Sequence, residues 1–181
     1  MKSKALLIIT VLLFSSTLGA QKSPPVYDIE TVQGQSLSWE LNLDKGGPIE
    51  YLDWAWMSNN ACFPETQKMN FTGSHLLLRT EIPKYSTMVI RLIPKDKKEN
   101  FSLYAYSGGH GALPPKLSSC VSCEADTKPE ARIIGRKRPN YVRSVELRAV
   151  TRPYPVTIGI AGAEGRTEGD FTIEVTITKN R

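Results

Sequence analysis

Residues 171–178 read Phe-Thr-Ile-Glu-Val-Thr-Ile-Thr, with Phe171, Ile173, Val175 and Ile177 alternating with Thr172, Glu174, Thr176 and Thr178. Only an extended strand sorts two such sets onto opposite faces, one toward a core and one toward water. The same period of two returns at 36–43 (SLSWELNL), through Leu37, Trp39, Leu41 and Leu43, and at 145–149, where Val145, Leu147 and Ala149 alternate with Glu146 and Arg148. Val156, Ile158 and Ile160 repeat it after Pro155. Residues 75–82 and 87–93 are apolar runs joined by Pro83-Lys84-Tyr85-Ser86, a hairpin-like connection, and FSLYAY (101–106) follows a charged turn. Residues 49–57 are aromatic and read as extended. The link 162–170 is rich in Gly and charge, as a hairpin loop is. No amphipathic helix of useful length interrupts these segments. The expectation is an all-β chain, an antiparallel β-sandwich or jelly-roll-like fold of seven to eight short strands.

The chain begins MKSKALLIITVLLFSSTLGAQ. Lys2 and Lys4 precede an apolar stretch too short for a comfortable membrane span, and small residues run up to Ala20. This is the layout of a secretory signal peptide over 1–20, followed by a linker at 21–35 and one domain at 36–181. Export to the periplasm or outside the cell is expected, with no stable membrane insertion after cleavage. The formal charge of +5 falls to about +3 once Lys2 and Lys4 are set aside. The densest basic stretch spans 132–148 and includes Arg136, Lys137, Arg138 and Arg143. With Tyr141 alone for stacking, it reads as a solvated loop, and no nucleic-acid partner is expected.

Residues 107–141 hold little that reads as a strand, and long loops of this kind are often functional. SSCVSCEAD lies inside it, carrying Cys120 and Cys123; the third cysteine is Cys62. In an oxidising compartment the first reading is a structural crosslink. Either one of the pair bonds Cys62, or the two bond each other. Closing the Cys62–Cys120 loop adds roughly 3–5 kcal/mol in the chain-entropy model. A zinc site would draw on Cys62, Cys120, Cys123 and either His75 or His110. A thiol-redox role would need a lowered thiol pKa, which Glu124 and Asp126 oppose. No cofactor is required; Glu164, Glu168 and Asp170 cluster in a turn and read as solvated turn acids, with weak calcium binding as the alternative. No G-x-S-x-G motif occurs, and Gly108-Gly109-His110-Gly111 reads as a surface loop rather than an oxyanion hole, so no enzyme is expected.

The aromatic residues suggest a binding face. Trp54 and Trp56 would project from one side of an extended segment, with burial in a core as the alternative reading. On 101–106, packing Phe101, Leu103 and Ala105 inward turns Tyr104 and Tyr106 outward, where they would stack on a sugar ring or anchor a partner. Asn70-Phe71-Thr72 and Asn100-Phe101-Ser102 match the glycosylation sequon.

Residues 75–109 (HLLLRTEIPKYSTMVIRLIPKDKKENFSLYAYSGG) and 144–177 resemble bacterial pre-peptidase C-terminal domains. In that family a strand, a P-x-x-S/T turn, an L-x-I-x-L strand and a D-L-x-L-Y strand come in this order. Here Tyr154-Pro155 and Asp170-Phe171 stand where the family has Gly-Tyr pairs, Asn100 is near its usual acidic position, and no peptidase accompanies the domain. The resemblance implies a compact, usually non-catalytic β-sandwich found beside secreted hydrolases. The expected function is therefore binding or accessory work in the envelope or outside the cell, toward a protein or glycan. The two rival readings are an aromatic-face binding module and a zinc or thiol protein.

Overall fold

The computed structural model describes residues 23–49, 51–56, 65–108, 112–115, 117, 122–127 and 141–180. Among them are ten strands: β1 (Val26–Asp28), β2 (Ser36–Asn42), β3 (Gly47–Pro48), β4 (Ser74–Ile82), β5 (Ser86–Pro94), β6 (Phe101–Ser107), β7 (Cys123–Asp126), β8 (Arg143–Ala149), β9 (Tyr154–Gly162) and β10 (Asp170–Lys179). They form two sheets. One runs β1-β4-β9-β6-β7, with β3 also on β4; the other runs β2-β10-β5-β8. The β-sandwich expected from the alternation is present, with more strands than the seven to eight anticipated.

The inner faces meet in one core. Leu76, Leu78, Phe101, Leu103, Ile158 and Ile160 of the first sheet pack on Met88, Ile90, Leu147, Phe171, Ile173 and Val175 of the second. Phe101 and Phe171 meet edge to face at 5.3 Å, the arrangement ring quadrupoles favour. The four-stranded sheet is one-sided. Along β8, buried and exposed residues alternate without a break, and in β10 Phe171, Ile173, Val175 and Ile177 are buried in turn.

Several expectations are corrected. Pro83-Lys84-Tyr85 does not close a hairpin, because β4 pairs with β9 in one sheet and β5 pairs with β10 and β8 in the other. Likewise 163–169 joins β9 to β10 across the sandwich. Gly, Pro and charge serve an arch between sheets as well as a hairpin, since both need sharp, solvated backbone. Within the segment expected as a linker, Val26–Asp28 forms β1, which pairs with Leu77, Leu78 and Arg79 in parallel rather than antiparallel fashion. Residues 53–56 form one helical turn, α1 (Asp53–Trp56), instead of extended chain. In the long stretch 107–141, Cys123–Asp126 is a strand on β6.

Arg143 is also not a solvated residue. Its side chain is fully buried, where Nε donates to the Phe101 carbonyl at 3.0 Å and Nη2 to Asn100 Oδ1 at 2.8 Å. Burial lowers its pKa, opposed by the charge of Asp126. Alternation along β8 points Arg143 inward with Val145, and the carbonyls at the start of β6 make that position tenable for a guanidinium.

Candidate functional site

The aromatic residues singled out in the sequence converge on the outer face of the larger sheet. All seven residues of β6 are buried. Phe101, Leu103 and Ala105 face the inter-sheet core. Tyr104 and Tyr106 face the other way, into a second cluster with Ile49, Leu52, Ala55, Phe71, Leu77 and Ala161. Trp54, Leu113 and Leu117 pack against it. The expected exposure of Tyr104 and Tyr106 is therefore corrected: both are covered, at 0% and 1% exposed. The cover comes from residues before β4, remote from β6 in sequence, and from the chain just after β6.

This second cluster is tightly determined. The Tyr104 and Tyr106 rings stack at 6.4 Å and 7°. Gly159 lies directly opposite Tyr104 in the β6–β9 pairing, and a Cβ there would come within 1.9 Å of the tyrosine ring. The missing side chain is what lets the ring lie over the backbone. His75 is fully buried, with Nδ1 2.9 Å from the Tyr104 hydroxyl and Nε2 2.8 Å from the Phe71 carbonyl. A carbonyl only accepts, so Nε2 carries the proton, and neutral Nδ1 accepts from the tyrosine hydroxyl. Burial lowers the His75 pKa to about 4, against a smaller raising effect of the Phe71 carbonyl. Burial likewise drives the Tyr104 phenol upward. Tyr106 donates to the Ala112 carbonyl at 3.0 Å. With both ring nitrogens engaged, His75 is not available as the zinc ligand considered above.

Trp54 is half-buried at this cluster, as in the core alternative, and lies 6.2 Å from the Tyr104 ring. Trp56 is the last residue of α1. Cys123 opens β7 opposite Tyr106, half-buried beside the same cluster. Cys62, Cys120 and His110, the other members of the crosslink and metal readings, lie outside the described residues, as does the signal-peptide segment 1–20. Of the calcium candidates, Glu164 takes a left-handed φ of 53° in the turn after β9, and Asp170 is the first residue of β10. No helix among the described residues is long and apolar enough to cross a membrane.

Among the described residues the exposed aromatics are Tyr27, Tyr51 and Tyr85; Tyr85 lies at one end of the sandwich, and sequence reasoning missed its setting. There the arch at 83–85 meets 29–35 and 150–153. Gln33 Nε2 donates to Ser86 Oγ at 2.7 Å, and Gly34 N to the Ile177 carbonyl at 2.7 Å. Tyr85 sits at the tip with φ of 54°, a conformation rare for a bulky side chain. Its amide donates to the Val150 carbonyl and its own carbonyl accepts from Asn180 N, at 3.1 and 2.7 Å. These bonds hold the turn and leave the ring 48% exposed, beside Val150 at 67%. Lys84 Nζ stands 6.0 Å from the ring centroid. Next to the tip, a groove of about 470 Å³ is lined by Glu30, Thr31, Val32, Glu81, Pro83 and Pro155. The Asp28–Arg79 ion pair, at 2.7 Å, also lines it. The groove is thus acidic, with an apolar rim. Tyr85 was legible only as a turn residue, because its backbone conformation has no local sequence signature.

No protein-family model matches the chain, and no curated protein matches it. Among solved structures the chain is similar to PliG of Aeromonas hydrophila, a periplasmic lysozyme inhibitor of g-type lysozyme, with 9% identity, TM-score 0.40, and coverage of 84% of this chain and 96% of that one. It is similar to the pre-peptidase C-terminal domain of a Bacillus anthracis collagenase, with 5% identity, TM-score 0.36, and coverage of 87% and 99%. It is also similar to the K1 cleaved adhesin domain of Lys-gingipain from Porphyromonas gingivalis W83, with 15% identity, TM-score 0.30, and coverage of 61% and 66%. The family resembled by residues 75–109 and 144–177 is thus represented among these structures.

Proposed function

We propose that this chain is an exported, non-enzymatic binding module that engages a partner protein through the end of the sandwich bearing Tyr85. The observation that carries the reading is the left-handed Tyr85. A bulky residue held in a costly conformation by two backbone hydrogen bonds, with its ring turned to solvent, fits a contact residue better than a packing one. Val32 and Val150 extend the apolar contact, and Glu30 and Glu81 favour a basic side chain on the partner. The buried polar groups around Tyr104 serve one another and support no catalytic role. Cys123 is read as one half of a disulfide that pins β7 beside the second cluster, with Cys62 or Cys120 as the other half.

The test places a photo-crosslinking amino acid at position 85, and at position 91 on the outer face of the four-stranded sheet, in the chain expressed in its native cell. A discrete adduct at 85 and none at 91 is the expected result. Identical patterns at both positions, or no adduct at 85, would defeat the reading. Tyr85→Asn removes the ring while suiting the left-handed backbone. It is expected to abolish the adduct formed from Lys84 with a lysine-reactive crosslinker, without lowering the melting temperature.

A further inference from the structure

β2 is an edge strand, paired with β10 on one side and with no described residue on the other. The hydrogen bonds flanking it show which of its backbone groups face outward. Ile177 N donates to the Gln35 carbonyl at 3.1 Å and Leu43 N to the Gly169 carbonyl at 3.0 Å, so odd-numbered residues bond toward β10. Antiparallel alternation then directs the N–H and C=O groups of Ser36, Ser38, Glu40 and Asn42 to the free edge. The side chains sort by the same period. Leu37, Trp39 and Leu41 turn toward the core but are only half-buried, so the core is incompletely covered along this edge. The strand carries neither Pro nor Lys, the residues that usually blunt an edge.

We propose that β2 pairs antiparallel with β2 of a second copy of this chain, joining the two four-stranded sheets into one. The strand's own pattern selects the register. Outward-facing residues are even-numbered, so they pair only with even-numbered residues of the partner copy. Centring the two-fold axis on Trp39 brings the whole of Ser36–Asn42 into register. Ser38 then exchanges hydrogen bonds with Glu40 of the other copy, Ser36 with Asn42, and Leu37 lies beside Leu41. The two Trp39 side chains meet at the axis in a non-hydrogen-bonded pair, the closer kind. Moving the axis to residue 40 would set Glu40 against Glu40, like charges directly opposite. Moving it to residue 38 would leave Asn42 without a strand residue opposite. The full-length register therefore places apolar beside apolar and avoids like charges.

Two measurements on the full chain test this. Sedimentation equilibrium across the micromolar range should show a monomer–dimer equilibrium. Ser38→Pro should weaken it about tenfold or more, because proline removes an outward N–H that β10 does not use and the two-fold axis counts the loss twice. Should Ser38→Pro fail to fold by circular dichroism, crosslinking decides instead. A mixture of Ser38→Cys and Glu40→Cys chains, mildly oxidised and peptide-mapped, should give a bond between positions 38 and 40 and none joining 38 to 38 or 40 to 40. A wild-type monomer at every concentration, a dimer indifferent to Ser38→Pro, or crosslinks of like positions would overturn the proposal.

Discussion

The two sheets share one core yet treat their outer faces in opposite ways. The four-stranded sheet leaves its outer face to water: Glu146 and Arg148 on β8, and Arg91 and Glu174 on β5 and β10, are partnered there in exposed ion pairs of 3.1 and 2.9 Å. The larger sheet buries its outer face under a second cluster that includes a histidine and two tyrosines. Exposed pairs on the first face trade protein contacts for water contacts at little net gain. On the covered face the polar groups depend on specific protein partners, because water is not there to replace them. Substitutions of similar chemistry should therefore have very different costs on the two faces.

Removing the tyrosine at the centre of the covered face should have the largest effect. Tyr104→Ala takes away both the ring stack and the partner of His75, and should cost roughly 3–5 kcal/mol in urea unfolding. Acidification comes next. His75 is neutral in the fold with a pKa of about 4, and its ordinary value is 6.5. The unfolded chain therefore takes up the proton first as pH falls. Stability is fully present above about 6.5, declines from there toward 4, and loses roughly 3 kcal/mol in all. Melting curves between these pH values should show the decline in the wild type and a flatter profile in His75→Gln. Gly159→Ala should cost about 1–3 kcal/mol by forcing the Tyr104 ring off the backbone. The double variant with Tyr104→Ala should cost less than the sum of the two single variants. On the open sheet, Arg91→Ala should change stability by less than about 0.5 kcal/mol. An Arg91→Ala loss as large as that of Tyr104→Ala would erase the contrast between the faces.

The same contrast explains what could be read from the chain before folding. β2, β8 and β10 announce themselves because one side faces water and the alternation is clean. β6 alternates too, and its inward set was read correctly from Phe101, Leu103 and Ala105. What covers Tyr104 and Tyr106 is chain around Ile49, Leu52, Phe71 and Leu113, and no local pattern couples those segments to β6. One hint was available: Leu76-Leu77-Leu78 is a continuous apolar run, the mark of a strand buried on both faces. Gly159 gave no warning, since its significance depends on lying opposite Tyr104, and register is a property of the folded sheet. β1 is three residues long and pairs in parallel, too short for periodicity to register. Tyr85 looked like any turn residue, so the exposed end of the sandwich became legible only through its dihedral angle and the bonds that hold it.

The order of strands in the open sheet also bears on how the chain reaches its fold during synthesis. β10 lies between β2 and β5, and the hydrogen bond from Asn42 to Asp170 spans 128 residues. One of the two inner strands of that sheet is thus the last of its strands to be made. Until it emerges, β2 has no strand to pair with, and β5 is flanked by β8 alone. Assembly of this sheet is consequently a late, long-range event, slow by the usual dependence of folding rate on sequence separation. A nascent chain stopped short of residue 170 would hold the alternating rows of β2 and β5 open to any other strand it met.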